Sequence, residues 1–134
     1  MLKRLFGRLI VLVLVATIGL TGCSGSSPAG LVGNYREDTL AVVTKLQQAI
    51  ELPSDSPDAP AVRDSARQAI NDFASFYRKD PSLAKLASFT TMQTALNSLA
   101  AHYTAYPNRP IPDKLKERLE KEFKQVEAAI KRGA

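Results

Sequence analysis

From residue 34 onward, apolar residues recur every three or four positions in four separate runs, and proline stands in every gap between them. That spacing lines up one stripe of side chains along one face of an α-helix, whereas a half-buried strand needs strict alternation. Proline cannot continue a helix interior, and it pushes the residue before it toward extended backbone, so each run has a stop built in. The pattern predicts an all-α fold: four amphipathic helices on short connections, packed as an up-down-up-down four-helix bundle. No alternating stretch supports a strand, and no repeat of fixed period is present.

Asn34-Tyr35-Arg36-Glu37 has the form of a capping box and opens the first helix. Its inner stripe is Leu40, Val43, Leu46 and Ile50, widened by Val42 and Ala49, and it stops before Pro53. Asp58 is the expected cap of the second helix, with Pro60 in the first turn, where a missing N–H costs little. Val62, Ala66, Ala69, Ile70, Phe73, Phe76 and Tyr77 make its inner face, and Pro81 ends it. Leu83 and Leu86 suggest a short helical turn before the third helix, for which Ser88 is the expected cap. There Met92, Leu96, Leu99, Tyr103 and Tyr106 form a seam at spacings of 4, 3, 4 and 3, and Ala95, Ala100 and Ala101 allow close approach of a neighbour. Pro112 and Asp113 suit the start of the fourth helix, whose buried stripe is Leu115, Leu119, Phe123, Val126 and Ile130. Its other face carries Glu117–Lys121, Glu120–Lys124 and Glu127–Lys131 at i, i+4, the arrangement of a solvated face, and Gly133 can stop it.

The N-terminus is of another kind. Lys3, Arg4 and Arg8 precede an apolar run, Leu9 to Leu20, that is shorter than the ~20 residues a spanning helix needs. It ends in Leu20-Thr21-Gly22-Cys23. A lipid transferase must reach the thiol, and a peptidase must fit small residues beside the cut. The stretch resembles the bacterial lipoprotein signal. That resemblance assigns residues 1–22 to a cleaved signal peptide and Cys23 to N-acyl and S-diacylglycerol modification. The alternative is an ordinary secretory signal, or a short anchor helix, with an incidental cysteine. Cys23 is the only cysteine, so no internal disulfide can brace the fold, and helix packing must supply its stability. Residues 23–33 then make a lipidated terminus and flexible linker, with an r.m.s. reach of about 17 Å for its ten residues after Cys23. Residues 34–134 make a single bundle domain, and two acyl chains would hold it stably at one membrane face.

Charge and residue counts narrow the chemistry. The formal net charge is +5, but without the leader 15 Lys and Arg face 13 Asp and Glu, a net +2, so nucleic acid is not implied. A carboxylate-bridged di-metal bundle needs Glu-x-x-His pairs, yet His102 is the only histidine and Leu99 stands three residues before it. Met92 and His102 sit ten residues apart on one helix, ~15 Å along its axis, and cannot clasp one haem iron. No nucleophile elbow and no glycine-rich phosphate loop occurs. The expectation is a protein that is not an enzyme, with no catalytic residue, metal or cofactor, in which His102 is a structural, hydrogen-bonded residue at a helix flank. One loop is unusual. In Tyr106-Pro107-Asn108-Arg109-Pro110-Ile111-Pro112 three prolines restrict their predecessors, so the loop should be stiff and display Asn108 and Arg109 at small entropic cost.

These stretches carry a specific likeness. Ser88 to Ala100, His102-Tyr103 and Tyr106 to Pro112, with Gly33 to Thr39, Tyr77-Arg78-Lys79-Asp80 and Leu115 to Lys124, resemble the photosystem II assembly and repair lipoproteins of cyanobacteria. The resemblance spans essentially the whole mature chain. It implies a four-helix bundle lipid-anchored on the lumenal side of the thylakoid membrane, monomeric when free. It also implies transient, non-enzymatic binding to photosystem II assembly intermediates, at the lumenal domain of a chlorophyll-binding inner antenna subunit. Occupancy there would delay the extrinsic subunits until the manganese cluster can be assembled. Asn108 and Arg109 are the candidate partner-binding residues, with Arg78 at a helix end as a third; the alternative is that they only tie the bundle's own loops together. Two other classes make different predictions. A generic envelope lipoprotein acting as a structural or adaptor module would not co-purify with photosystem subunits, and an enzyme would show a deep pocket with convergent ionisable groups.

Overall fold

A computed structural model describes residues 30–134. Cys23 and the expected signal peptide lie outside the described residues. The helices are α1 (Tyr35–Glu51), α2 (Ala59–Tyr77), α3 (Ala87–Ala105) and α4 (Asp113–Lys131), with a 3₁₀ turn, Pro81–Lys85, between α2 and α3. Among the described residues there is no strand, and no helix is long and apolar enough to cross a membrane. α3 packs on α4 and α1 on α2, and the α1–α4 and α2–α3 contacts close the ring. Val43, Leu46, Phe73, Met92, Leu99, Tyr103, Leu119 and Phe123 fill the middle with almost no exposed surface.

The ends follow the residues that make them. Asn34 Oδ1 accepts the Glu37 N–H at 3.2 Å, and α1 stops at Leu52, in front of Pro53. α4 closes with Gly133 at φ +75°, a left-handed conformation that glycine adopts without a Cβ penalty. The Gly133 N–H then reaches the Ile130 carbonyl at 3.1 Å and the Ala134 N–H reaches that of Ala129 at 2.9 Å, which is a Schellman motif.

Several local expectations shift. α3 begins one residue before Ser88, with Leu86 in the cap position, because Ser88 is fully buried and its Oγ is taken by the Tyr35 hydroxyl at 2.8 Å. Asp58 sits at the cap of α2 but makes no side-chain cap bond. Phe76 and Tyr106, expected inside, are 40% and 47% exposed. Tyr77 takes the inward position and Phe76 packs edge-on against it, while Tyr106 lies where the chain leaves α3 at φ −133°, ψ 68°. None of the three Glu–Lys pairs expected on α4 closes; among the described residues the one ion pair is Arg118 Nε to Glu122 Oε1 at 2.9 Å. Glu127 instead accepts a hydrogen bond from Gln47 Nε2 of α1 at 3.1 Å.

Candidate partner-binding surface

An antiparallel bundle has two ends, and here they are built differently. One end gathers the start of α1, the end of α2, the start of α3 and the end of α4. Asp38, in the first turn of α1, is 2% exposed. Gly33 has φ +85°, a backbone that turns the preceding chain back over the helix. The Val32 and Gly33 N–H groups therefore both donate to the Asp38 carboxylate, at 2.8 and 3.0 Å, and Leu31 is buried in the core. The last residues of the expected linker are thus bound to the bundle. The Tyr77 hydroxyl donates to the same carboxylate. Burial, and then that hydrogen bond to an anion, push the Tyr77 hydroxyl well above its ordinary value. Burial also raises Tyr35, against the opposing bond to Ser88. The Ser88 N–H donates to the Ala134 carbonyl at 3.3 Å, which ties α3 to the end of α4.

The other end gathers the loops after α1 and α3. The Arg109 N–H donates to the Tyr106 carbonyl at 3.3 Å, closing a β-turn with Pro107 at its second position, where proline's fixed φ is already correct. The turn holds the Arg109 guanidinium over the Tyr106 ring, 5.4 Å from its centroid. Tyr106 in turn lies 5.6 Å from the His102 ring. Between this loop and the starts of α2 and α4 is a cleft of about 180 Å³, lined by Arg63, Arg109, Lys116, Glu51 and Asp113, with Tyr103 beneath. Tyr103 is 1% exposed, and its hydroxyl has no hydrogen-bond partner. Burial raises its pKa, while the Arg63 and Arg67 cations pull the other way. Arg67 holds the residue from behind, donating to its backbone carbonyl.

The three candidate contact residues are therefore not one patch. Asn108 and Arg109 are exposed at the cleft end. Arg78 is exposed at the C-cap of α2, at the Asp38 end. Along α2 it stands fifteen residues from Arg63, about 22 Å at 1.5 Å per residue. His102 is buried as expected of a structural residue, but its Nε2 has no partner, and aromatic packing on Tyr103 and Tyr106 holds it instead. Reading the sequence missed Asp38, Arg63 and Lys116. Arg63 and Lys116 sit near the starts of helices whose starts were visible, so the clustering of those starts around one loop was the available signal. Asp38 offered none, because its tyrosine partner lies 39 residues away. Among the described residues no group of three or more His, Cys, Asp or Glu could hold a metal ion.

Comparison with known proteins agrees with this architecture. A family model described as Photosystem II Pbs27 matches residues 10–130. The Photosystem II assembly factor lipoprotein Psb27 of Thermosynechococcus vestitus is 53% identical over 133 residues, covering 99% of this chain and 98% of that protein. The chloroplastic Photosystem II repair protein PSB27-H1 of Arabidopsis thaliana is 34% identical over 100 residues, 74% of this chain and 58% of that protein. The solution structure of Psb27 from cyanobacterial photosystem II superposes with a TM-score of 0.75 at 54% identity, over 84% of this chain and 96% of that one.

Proposed function

The chain belongs to the Photosystem II Pbs27 family, and from that membership we propose that it serves photosystem II assembly and repair as a lipid-tethered binding module rather than an enzyme. Lipidated at Cys23, it works from the lumenal face of the thylakoid membrane. It docks transiently on immature photosystem II, at the lumenal domain of the inner antenna subunit. While it is there, the extrinsic subunits are kept off until the manganese cluster can be assembled.

The mechanism is steric and electrostatic. A tether confines the search to a membrane surface and raises the local concentration of the domain. The observation that carries the reading is the contrast between a filled middle and a polar end. The core side chains from Val43 to Phe123 are almost completely buried and apolar. The cleft end, by contrast, presents Arg63, Arg109 and Lys116 around a proline-fixed turn. A rigid surface loses little entropy on docking.

Arg109→Ala tests the reading. Capture of photosystem II assembly complexes from thylakoids should fall about tenfold, the order of one charge-assisted hydrogen bond, with helical content by circular dichroism unchanged. Wild-type protein that fails to co-purify with any photosystem II subunit would remove the proposal, and undiminished capture by Arg109→Ala would remove this end as the contact.

A further inference from the structure

Building on that docking role, we propose that the cleft lined by Arg63, Arg109 and Lys116 receives a single carboxylate, an aspartate or glutamate side chain on an acidic loop of the protein partner, and that the Tyr103 hydroxyl donates the hydrogen bond that fixes it.

Three observations meet at this point. The Tyr103 hydroxyl is buried and without a partner, and a buried donor left unpaired costs about 1–3 kcal/mol. Burial keeps it protonated, so what it offers is a donor, and the acceptor that profits most is an anion. None of Arg63, Arg109 or Lys116 forms an ion pair with another described residue, although all three line the same cleft. Arg63 and Tyr103 line the same cleft, and the Arg63 and Arg67 charges both lower the Tyr103 pKa against the effect of burial, so positive charge lies near the hydroxyl. The hydroxyl is buried beneath the cleft, so the proposed fit requires the long Arg63, Arg109 and Lys116 side chains to move aside as the carboxylate enters.

Shape and placement favour a lone side chain over a broad anionic surface. Glu51 and Asp113 line the same cleft and would repel a sheet of negative charge, while one carboxylate can sit among the cations. The cleft also lies at the end of the bundle away from Leu31, where the chain to Cys23 leaves. The 19 residues of α2 separate the two ends by about 28 Å. A membrane headgroup at the anchor is therefore on the wrong side of the molecule.

The test uses full-length protein in neutral detergent micelles, with the arginine Nε–H signals followed by NMR. The probe is the capped tripeptide acetyl-Gly-Glu-Gly-amide, and its Gln counterpart is the control. The Glu peptide should shift the Arg63 and Arg109 signals saturably and the Gln peptide should not. Tyr103→Phe, which keeps the ring, should weaken binding about tenfold, and Arg63→Gln should do the same should the tyrosine variant fold poorly. Equal shifts from both peptides, or an undiminished response in both variants, overturns the proposal. So does saturation of the same signals by inorganic phosphate or by anionic phospholipid vesicles at lower concentration than by the Glu peptide. Capture of assembly complexes separates this idea from the one it rests on. Wild-type protein that captures none defeats the docking role, whereas equal capture by wild type, Tyr103→Phe and Arg63→Gln defeats the cleft alone.

Discussion

Asp38 gives its end of the molecule a fixed geometry. A carboxylate at 2% exposure is tolerable because the Val32 and Gly33 N–H groups and the Tyr77 hydroxyl all donate to it. Asp38→Ala leaves the Tyr77 hydroxyl buried and unpaired and frees the chain that seats Leu31. Urea denaturation should show a loss of about 2–4 kcal/mol, from bonds to a charged group plus one orphaned donor, and the Val32 and Gly33 amides should exchange faster. Tyr35, Tyr77 and Tyr103 add a dependence on alkaline pH. In each the folded pKa lies above the ordinary 10.0, so below pH 10 both states hold the proton and the contribution is complete. Above pH 10 the unfolded chain releases protons that the folded one keeps. Stability should then fall by about 1.4 kcal/mol per pH unit for each such tyrosine, until its folded pKa is reached. Urea midpoints between pH 8 and 11.5 would show the decline, and Tyr77→Phe should make it shallower. These pairings could not be read from the chain, because hydrogen bonds that span 39 and 53 residues leave no local pattern.

At the scale of the element, local rules were enough wherever one helix decided the outcome. The Asn34 cap, the stop before Pro53, the proline start of α4 and the glycine end at 133 all depend on a few neighbouring residues, and each was legible. Ser88, Phe76 and Tyr106 were misplaced for a common reason: a partner on another element, or the angle at which the chain leaves its helix, outweighed the period. Serine prefers a cap, but the Tyr35 hydroxyl offers Ser88 a buried partner. The turn after α3 was legible from its prolines, whereas the cleft beside it was not, since it exists only once three chain segments meet. Gly133 is a clean test of an element end. A Cβ there would meet nothing within 4 Å, so the cost of Gly133→Ala is conformational. At φ +75° that cost is about 1–2 kcal/mol. Thermal melting should show it, with loosened packing of Ser88, whose N–H bonds to Ala134 through this turn.

Across the whole molecule the up-down-up-down order sets the start of the described chain and the cleft at opposite poles, and with them the proposed anchor and the proposed docking surface. α1 starts beside the linker and ends beside the cleft, so the bundle itself is a spacer about 28 Å long, judged by α2. Arg78, at the Asp38 pole, is too far from Asn108 and Arg109 to share one contact with them. Because Leu31 is seated in the core, the segment left to span from Cys23 is residues 24–30. On the proposed reading of that segment as a flexible tether, seven residues have an r.m.s. reach of about 15 Å, short of the bundle's own length. A tether of that size would let the cleft pole point away from the membrane while limiting how far the domain wanders. Doubling it with seven Gly and Ser residues should leave membrane retention intact, because in the proposed arrangement the acyl chains on Cys23 set that. The local concentration of the domain at its partner should fall about threefold, following the −3/2 power of linker length. Quantitative capture of assembly complexes in thylakoids, wild type against the lengthened chain, reads that ratio directly. Improved capture would mean that the native linker is too short for its target and that the cleft pole is not the one presented.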